Sequence, residues 1–231
     1  MKRLFDIFVS AAGLIVLSPL LAVVLFLVWR QDRHSPFYVA ERAARGGGSF
    51  RMVKIRSMIV NADRTGVEST GAADVRITPL GHFIRRWKLD EITQLWNVLK
   101  GEMSLVGPRP NTLKAVAAYM PAERGLLAVR PGITDIASIV FSDEGDILKD
   151  AADPDDAYDK LIRPWKSRLG LLYAANAGVL LDLRLVWLTV LAILDKPKAL
   201  AGVERVLVSL GAEPDLIAVA RRDRPLVPAA V

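Results

Sequence analysis

The stretch Ile7-Phe-Val-Ser-Ala-Ala-Gly-Leu-Ile-Val-Leu-Ser-Pro-Leu-Leu-Ala-Val-Val-Leu-Phe-Leu-Val-Trp29 runs for 23 residues without a charged side chain. At roughly 1.5 Å per helical residue it reaches about 34 Å, slightly more than the hydrocarbon core of a bilayer. The whole chain agrees with that reading. Of its 231 residues 52% are hydrophobic and the mean hydropathy of +0.29 is high for a soluble domain, while 24% charged residues exclude disorder. Membrane contact is the first expectation. A cleaved signal peptide competes for the segment, because Lys2 and Arg3 resemble a basic n-region. Against it, the apolar run is long and ends in Trp29-Arg30-Gln31-Asp32-Arg33 with no small-residue cleavage site after it.

Ser18 and Pro19 lie near the middle of the run. Proline removes its own N–H and clashes with the carbonyl of Ile15, which kinks or breaks a helix, and Ser18 can hydrogen-bond back to the preceding turn. Basic residues flank both ends, Lys2 and Arg3 before, Arg30 and Arg33 after, so the positive-inside rule sets no orientation. Two dispositions fit: one kinked spanning helix, or a segment that enters one leaflet, turns at Ser18-Pro19 and leaves on the same side.

Beyond the segment, the length allows one compact domain of about 150–200 residues with appendages. There is no Cys and only two His, His34 and His82, which excludes disulfide frameworks, thiolate zinc sites, cysteine nucleophiles and His-rich metal centres. The excess of 31 Lys plus Arg over 25 Asp plus Glu, net +6, is distributed unevenly. Residues 30–56 carry a local charge of +5 beside the apolar run, and residues 135–160 carry −7, a block expected to face solvent. Phe37-Tyr38-Val39 and Phe50 to Ile55 read as strands of a hairpin about Gly46-Gly47-Gly48. The glycines make a poor phosphate cradle, since no Gly-Lys-Ser/Thr follows.

The strongest helical pattern is Leu89, Ile92, Leu95, Trp96 and Leu99, which predicts one apolar face and a stop at Gly101. Gly107-Pro108-Arg109-Pro110 cannot be regular helix and predicts a stiff loop presenting an arginine. Leu171 to Leu194 is apolar, but Asp182 and Arg184 interrupt it, so a helix at the interface or packed on the domain fits better than a span. The organisation is therefore a membrane segment over 1–30, a catalytic domain over 31–200 and a loosely attached tail over 201–231. The fold class is α+β, mostly helical, with a small β-hairpin and interfacial amphipathic helices.

Asp90-Glu91 opens the strongest helix. Taken alone, such a pair complements the helix dipole in a first turn, worth a few tenths to one kcal/mol. The setting argues for more, because residues 76–114 hold seven basic groups against three acids. Acids among bases point to a phosphate site with a metal. A helix start keeps a carboxylate ionised, as a nucleophile attacking phosphorus requires. Neighbouring helical residues point about 100° apart, so the two divide nucleophilic and metal-positioning roles.

Leu89-Asp-Glu-Ile-Thr-Gln-Leu-Trp-Asn-Val-Leu-Lys-Gly-Glu-Met-Ser-Leu-Val-Gly-Pro-Arg-Pro110 resembles the signature of the bacterial sugar transferases, the monotopic phosphoglycosyl transferases. Lys2-Arg3-Leu4-Phe5-Asp6, Ser18-Pro19-Leu20, Lys54-Ile55-Arg56-Ser57-Met58 and Arg130-Pro131-Gly132-Ile133-Thr134 occur in family order, so the resemblance covers about residues 1–195. It implies transfer of a sugar 1-phosphate from a UDP-sugar donor to a polyprenyl phosphate acceptor such as undecaprenyl phosphate, with release of UMP and use of Mg²⁺. By position, Asp90 is the implied nucleophile and Glu91 helps Asp90 hold the metal. Arg109 and Pro110, with Lys54, Arg56 and Arg130, are the implied phosphate-binding group. Ser18-Pro19 matches the family's re-entrant membrane helix. The implied location is the cytoplasmic face of the bacterial inner membrane, as a monotopic protein in contact with its lipid; a homodimer is left open. Ser57, Trp87-Lys88, Thr93 and Asp135-Ile136-Ala137-Ser138 depart from the family pattern without removing a proposed catalytic group.

Two rival readings remain. A helix-turn-helix DNA-binding protein is also basic, but Gly-Pro-Arg-Pro stands where a recognition helix should begin, so no nucleic-acid partner is expected. A catalytically inactive membrane-bound scaffold of the same fold, whose basic block only contacts anionic lipid, is opposed by the intact Asp90-Glu91 pair.

Overall fold

The computed structural model describes residues 1–65, 70–71 and 73–228. Its first helix, α1 (Lys2–Asp32), takes in the whole apolar run and continues through Pro19. Ser18 Oγ donates to the carbonyl of Ile15 at 2.7 Å, the acceptor that Pro19 leaves without its usual partner. At roughly 1.5 Å per residue α1 is about 46 Å long, long and apolar enough to cross a membrane. One stripe of it, Asp6, Ser10, Leu21, Val24 and Val28, is buried against the rest of the protein. Phe8, Ile15, Val16, Val23 and Phe26 are exposed on its other sides.

Both ends of α1 are tied to the same body. At the start, Arg3 donates to the carbonyls of Val98 and Leu99, and Asp6 Oδ1 accepts from Ser104 Oγ and Leu105 N, each at 3.1 Å. Lys2 pairs with Asp182 and donates to the Val106 carbonyl at 3.1 Å. At the far end, Asp32 takes two hydrogen bonds from the Arg56 guanidinium, at 2.6 and 2.7 Å. That contact holds the Asp32 carboxyl down from 3.8 to about 2, against some burial. The folded pKa lies below the unfolded one, so this pair's contribution is complete above about pH 4 and disappears as the pH falls toward 2. Thermal unfolding in detergent should therefore lose stability across that window more steeply in the wild type than in Asp32→Asn; equal slopes would show that the pair contributes nothing.

After α1 the chain forms the expected hairpin. Strands β1 (Phe37–Ala43) and β2 (Ser49–Ile55) pair antiparallel, from Phe37 opposite Ile55 to Ala43 opposite Ser49. Gly46 and Gly47 adopt positive φ in the turn, with nothing within 4 Å of an added Cβ, which makes it a plain turn. Helix α2 (Pro79–Arg86) is capped by Thr78, whose side chain accepts from Gly81 N at 2.9 Å.

The single helix predicted over 89–99 is instead a 3₁₀ turn, Leu89–Glu91, followed by α3 (Gln94–Lys100). Gly101 ends it at φ 86°, as the sequence predicts. The predicted apolar face also differs: Leu89, Ile92, Leu95 and Leu99 are half-buried and Trp96 is exposed, while Thr93, Gln94, Asn97 and Val98 are buried. Asn97 explains the inversion. It accepts from Val53 N at 3.0 Å and donates to Arg51 O at 2.8 Å, so its amide serves the open edge of β2 as a neighbouring strand would.

A second pairing joins β3 (Ser104–Val106) to β4 (Gly132–Thr134) in parallel. Between them lie the Gly107–Pro110 loop and the short helix α4 (Leu113–Ala117). The remainder is helical: α5 (Ile136–Val140), α6 (Glu144–Ile147), α7 (Pro154–Leu161), α8 (Arg163–Ala175), α9 (Val179–Leu194), α10 (Lys196–Ser209) and α11 (Pro214–Arg221). Where composition suggests a loose tail from residue 201, Val203, Val206, Leu207, Leu216 and Ala220 are buried in the main core; residues 229–231 lie outside the described residues. The acidic block is not wholly solvated, since Asp135 is buried as the N-cap of α5 and Asp143 pairs with Lys196 and Arg222. In α9, Leu181, Asp182, Leu185 and Leu188 face the core, and Leu180, Leu183, Trp187, Val190 and Leu194 form an exposed apolar stripe. Asp182, the charge that interrupts the apolar stretch, is thus spent inside the protein on Lys2 and on Tyr173 Oη at 2.7 Å.

Candidate active site

Three segments bring four of the sequence-predicted residues together. Lys54 projects from β2, Asp90 and Glu91 lie in the 3₁₀ turn, and Arg109 stands in the Gly-Pro-Arg-Pro loop. The turn is fastened to β2 by Thr93, whose Oγ1 donates to Val53 O at 3.0 Å. It is entered through Lys88, a non-glycine residue held at φ 55° in the left-handed region. The loop is held from below by the β3–β4 pair: Gly107 N donates to Thr134 O at 2.9 Å and Gly132 N to Pro108 O at 3.0 Å. Gly107 and Gly132 pack backbone to backbone, so close that a Cβ on Gly132 would stand 2.1 Å from Gly107 N.

Lys54 Nζ lies 3.1 Å from Glu91 Oε1 and 3.6 Å from Asp90 Oδ2. Arg109 Nη2 donates to the same Glu91 oxygen. The side chains of Lys54, Asp90 and Glu91 are only 12–16% exposed, whereas Arg109 is 42% exposed and open to an incoming ligand. Burial pushes the Asp90 carboxyl above its ordinary value, with Lys54 as the main opposing charge. Burial also acts to raise Glu91, but Arg109, Lys54 and Lys88 together outweigh it and hold that carboxyl well below the usual range. Glu91 in turn raises Arg109. The expectation that a helix start lowers Asp90 is thus reversed, because one 3₁₀ turn supplies little dipole and the desolvation is large. Two adjacent carboxylates whose environments move them in opposite directions are suited to different tasks.

The remaining predicted residues lie elsewhere. Arg56 is occupied by Asp32 and by the Ser35 carbonyl at 2.8 Å. Arg130 Nε donates to Gly101 O at 3.0 Å, at the end of α3. Pro110 is buried beside Arg109 and stiffens the loop. Ser18 and Pro19 belong to α1. Sequence reasoning passed over Arg85 and Lys88, whose charges both act on Asp90. Their signal was position: they immediately precede the pair, on α2 and the turn that follows it. Among the described residues no group of three or more His, Asp or Glu is placed to hold a metal. Asp90 and Glu91 fit the other mode of Mg²⁺ binding, in which one or two carboxylates share the ion with substrate phosphates.

The chain is similar to several known proteins. The chain is 32% identical over 209 residues to the exopolysaccharide production protein PSS of Rhizobium leguminosarum bv. phaseoli, covering 86% of this chain and 97% of that protein. It is 34% identical over 193 residues to the UDP-glucose:undecaprenyl-phosphate glucose-1-phosphate transferase of Klebsiella pneumoniae, 82% of this chain and 39% of the relative. Identity is 37% over 151 residues to the UDP-galactose-lipid carrier transferase of Erwinia amylovora, 59% of this chain and 31% of the relative. The chain therefore spans well under half the length of these last two proteins. The family match runs over residues 1–196 and takes in Lys54, the Asp90-Glu91 pair, Arg109 and the whole of α1. The chain belongs to the bacterial sugar transferase family.

Proposed function

We propose that this protein is a phosphoglycosyl transferase that moves a sugar 1-phosphate from a UDP-sugar to a polyprenyl phosphate such as undecaprenyl phosphate, releasing UMP, as the initiating membrane step of surface glycan assembly. The observation that carries the reading is a buried carboxylate, Asp90, set beside a lysine and next to a second carboxylate clamped by two cations. The names of the relatives from Klebsiella and Erwinia support the choice of donor and lipid acceptor.

In this mechanism an oxygen of Asp90 attacks the β-phosphorus of the donor. The bond from that phosphorus to the bridging oxygen breaks, UMP leaves with the oxygen, and the sugar phosphate is held as an acyl phosphate on Asp90. An oxygen of the polyprenyl phosphate then attacks the same phosphorus, and the Asp90 carboxylate departs unchanged. Two displacements let a soluble donor and a lipid acceptor use one site in turn. Lys54 and Arg109 neutralise charge on the phosphoryl oxygens. Mg²⁺, held by Asp90 and Glu91, would neutralise further phosphate charge. Glu91 takes Lys54 and Arg109 when no phosphate is present, which keeps both cations beside the nucleophile.

We infer the disposition in the membrane from α1. A helix whose two ends are hydrogen-bonded to one globular body does not deliver those ends to opposite sides of a bilayer. The tethering of both ends supports a re-entrant segment, with Ser18-Pro19 at its deepest point. The exposed stripe of α9 lies in the interface, and the protein is monotopic on the cytoplasmic face of the inner membrane.

The test is Mg²⁺-dependent UMP release by the detergent-purified protein from a panel of UDP-sugars, with and without undecaprenyl phosphate. Acceptor-dependent release of UMP from one donor is the expected result and names the sugar. Absence of release from folded protein across a broad panel would refute the donor assignment and favour the inactive scaffold.

A further inference from the structure

A third cation lies beside the site and is paired with an acid in the same way as the other two. Lys166, on α8, forms an ion pair with Glu144 at the start of α6, and its ammonium sits 5.2 Å from the centroid of the Tyr158 ring. Lys166 is one turn before Gly170, on the same face of α8. A Cβ on Gly170 would stand 3.6 Å from Cβ of Pro108, so that face abuts the loop carrying Arg109. Lys166 therefore lies one helical turn from the contact of α8 with that loop. Charge places it there too. Arg109 acts on Lys166 and both act on the buried Asp135, while Glu144 acts on Arg109 as well as on Lys166.

Glu91 holds Lys54 and Arg109, and Glu144, whose charge also reaches Arg109, holds Lys166. The charge of Arg109 disfavours the Lys166 ammonium, and Glu144 offsets it by direct pairing. A mostly buried pair of this kind contributes little net stability compared with apolar side chains of similar volume, so stability alone gives no reason for it. A diphosphate presents two anionic groups in succession. The one attacked belongs at Asp90 and Lys54, which leaves the nucleotide's own phosphate on the far side of Arg109.

We propose that Lys166 is a third phosphate-binding cation of this site, which leaves Glu144 to hold the nucleotide-side phosphate of the donor and of the UMP released. This inference rests on the UDP-sugar reading above and assigns α8 to the nucleotide end of the donor.

The experiment is calorimetric titration of UMP into the full-length protein in detergent, with donor kinetics in parallel, for the wild type, Lys166→Met, Lys166→Arg and Glu144→Gln. Loss of one charge-assisted contact is expected to weaken UMP binding about tenfold in Lys166→Met and to raise the donor KM by a similar factor, with kcat changed less than about threefold. Lys166→Arg should recover most of the affinity. Glu144→Gln, which frees the lysine without removing it, should bind UMP at least as tightly as the wild type. Wild-type affinity in Lys166→Met would overturn the proposal, as would equal weakening in Lys166→Met and Glu144→Gln, the mark of a purely structural pair. A wild type that binds no UMP and turns over no donor would overturn the UDP-sugar reading itself, and the proposal with it.

Discussion

Asp90→Asn should fold as the wild type does and lose turnover by about 10⁴-fold or more, the scale seen when a nucleophile is removed from a site that is otherwise intact. The amide has the shape of the carboxylate but no electron pair able to form an acyl phosphate. Lys54 keeps Glu91 as a partner at 3.1 Å in the variant, so the cation is not stranded in the buried site. Removal of the carboxylate also relieves the desolvation that raises Asp90 in the wild type, which makes a gain in thermal stability the expected companion of lost activity. The two measurements are UMP release and thermal unfolding on the same preparation. Wild-type turnover in Asp90→Asn would reject Asp90 as the nucleophile, and lost turnover with a collapsed melting temperature would leave the chemistry unassigned to that side chain.

Gly132→Ala should be strongly destabilising for a single added methyl. The added carbon falls 2.1 Å from Gly107 N and 2.4 Å from Gly107 O, both backbone atoms in a loop already fixed by Thr134 and Pro108. No side-chain rotation relieves that contact, so β3 and β4 must separate. The cost is roughly 3 kcal/mol or more, which for a chain of this size lowers the melting temperature by about 10 °C. Activity should fall further than stability, because the strand pair is what aims Arg109 at Glu91. Gly178→Ala makes the control: its nearest neighbour is Asn176 O at 3.9 Å, and it should melt within a degree or two of the wild type. Equal melting of the two variants would show that the close approach carries no strain.

The features legible in the sequence were those set by local chemistry. Gly46 and Gly47 marked a turn because only that backbone reverses so tightly, Gly101 marked a helix end, and two prolines about Arg109 marked a rigid loop. Asp90, Glu91 and Arg109 stood in one stretch with an excess of charge, and Lys54 entered only through the family motif; the fold brings the four together. What periodicity missed depended on partners far away in the chain. Trp96 matched the apolar stripe of its helix, yet the deep face belongs to Asn97, whose amide completes the edge of a strand formed more than forty residues earlier. Arg56 stood in a motif with Lys54, but it lies just past the end of β2, where Asp32 and the Ser35 carbonyl take its guanidinium. Asp182 read as an interruption of an apolar helix because nothing local announces Lys2. The packing of α10 and α11 was hidden by the arginines and prolines around them, which lie on the surface and mask a buried row from Leu200 to Ala220.

The link between Lys2 and Asp182 also sets an order of events during synthesis. The two residues are 180 positions apart, and at roughly 5–20 residues per second a ribosome takes about ten to thirty-five seconds to travel from one to the other. For most of that interval the apolar segment has left the exit tunnel while its anchor at Asp182 has yet to be made. Lipid or a targeting factor is then its natural refuge, so the segment meets the bilayer first and the globular body closes around an N-terminus already seated there. A chain built in this sequence commits to its membrane before it owns an active site.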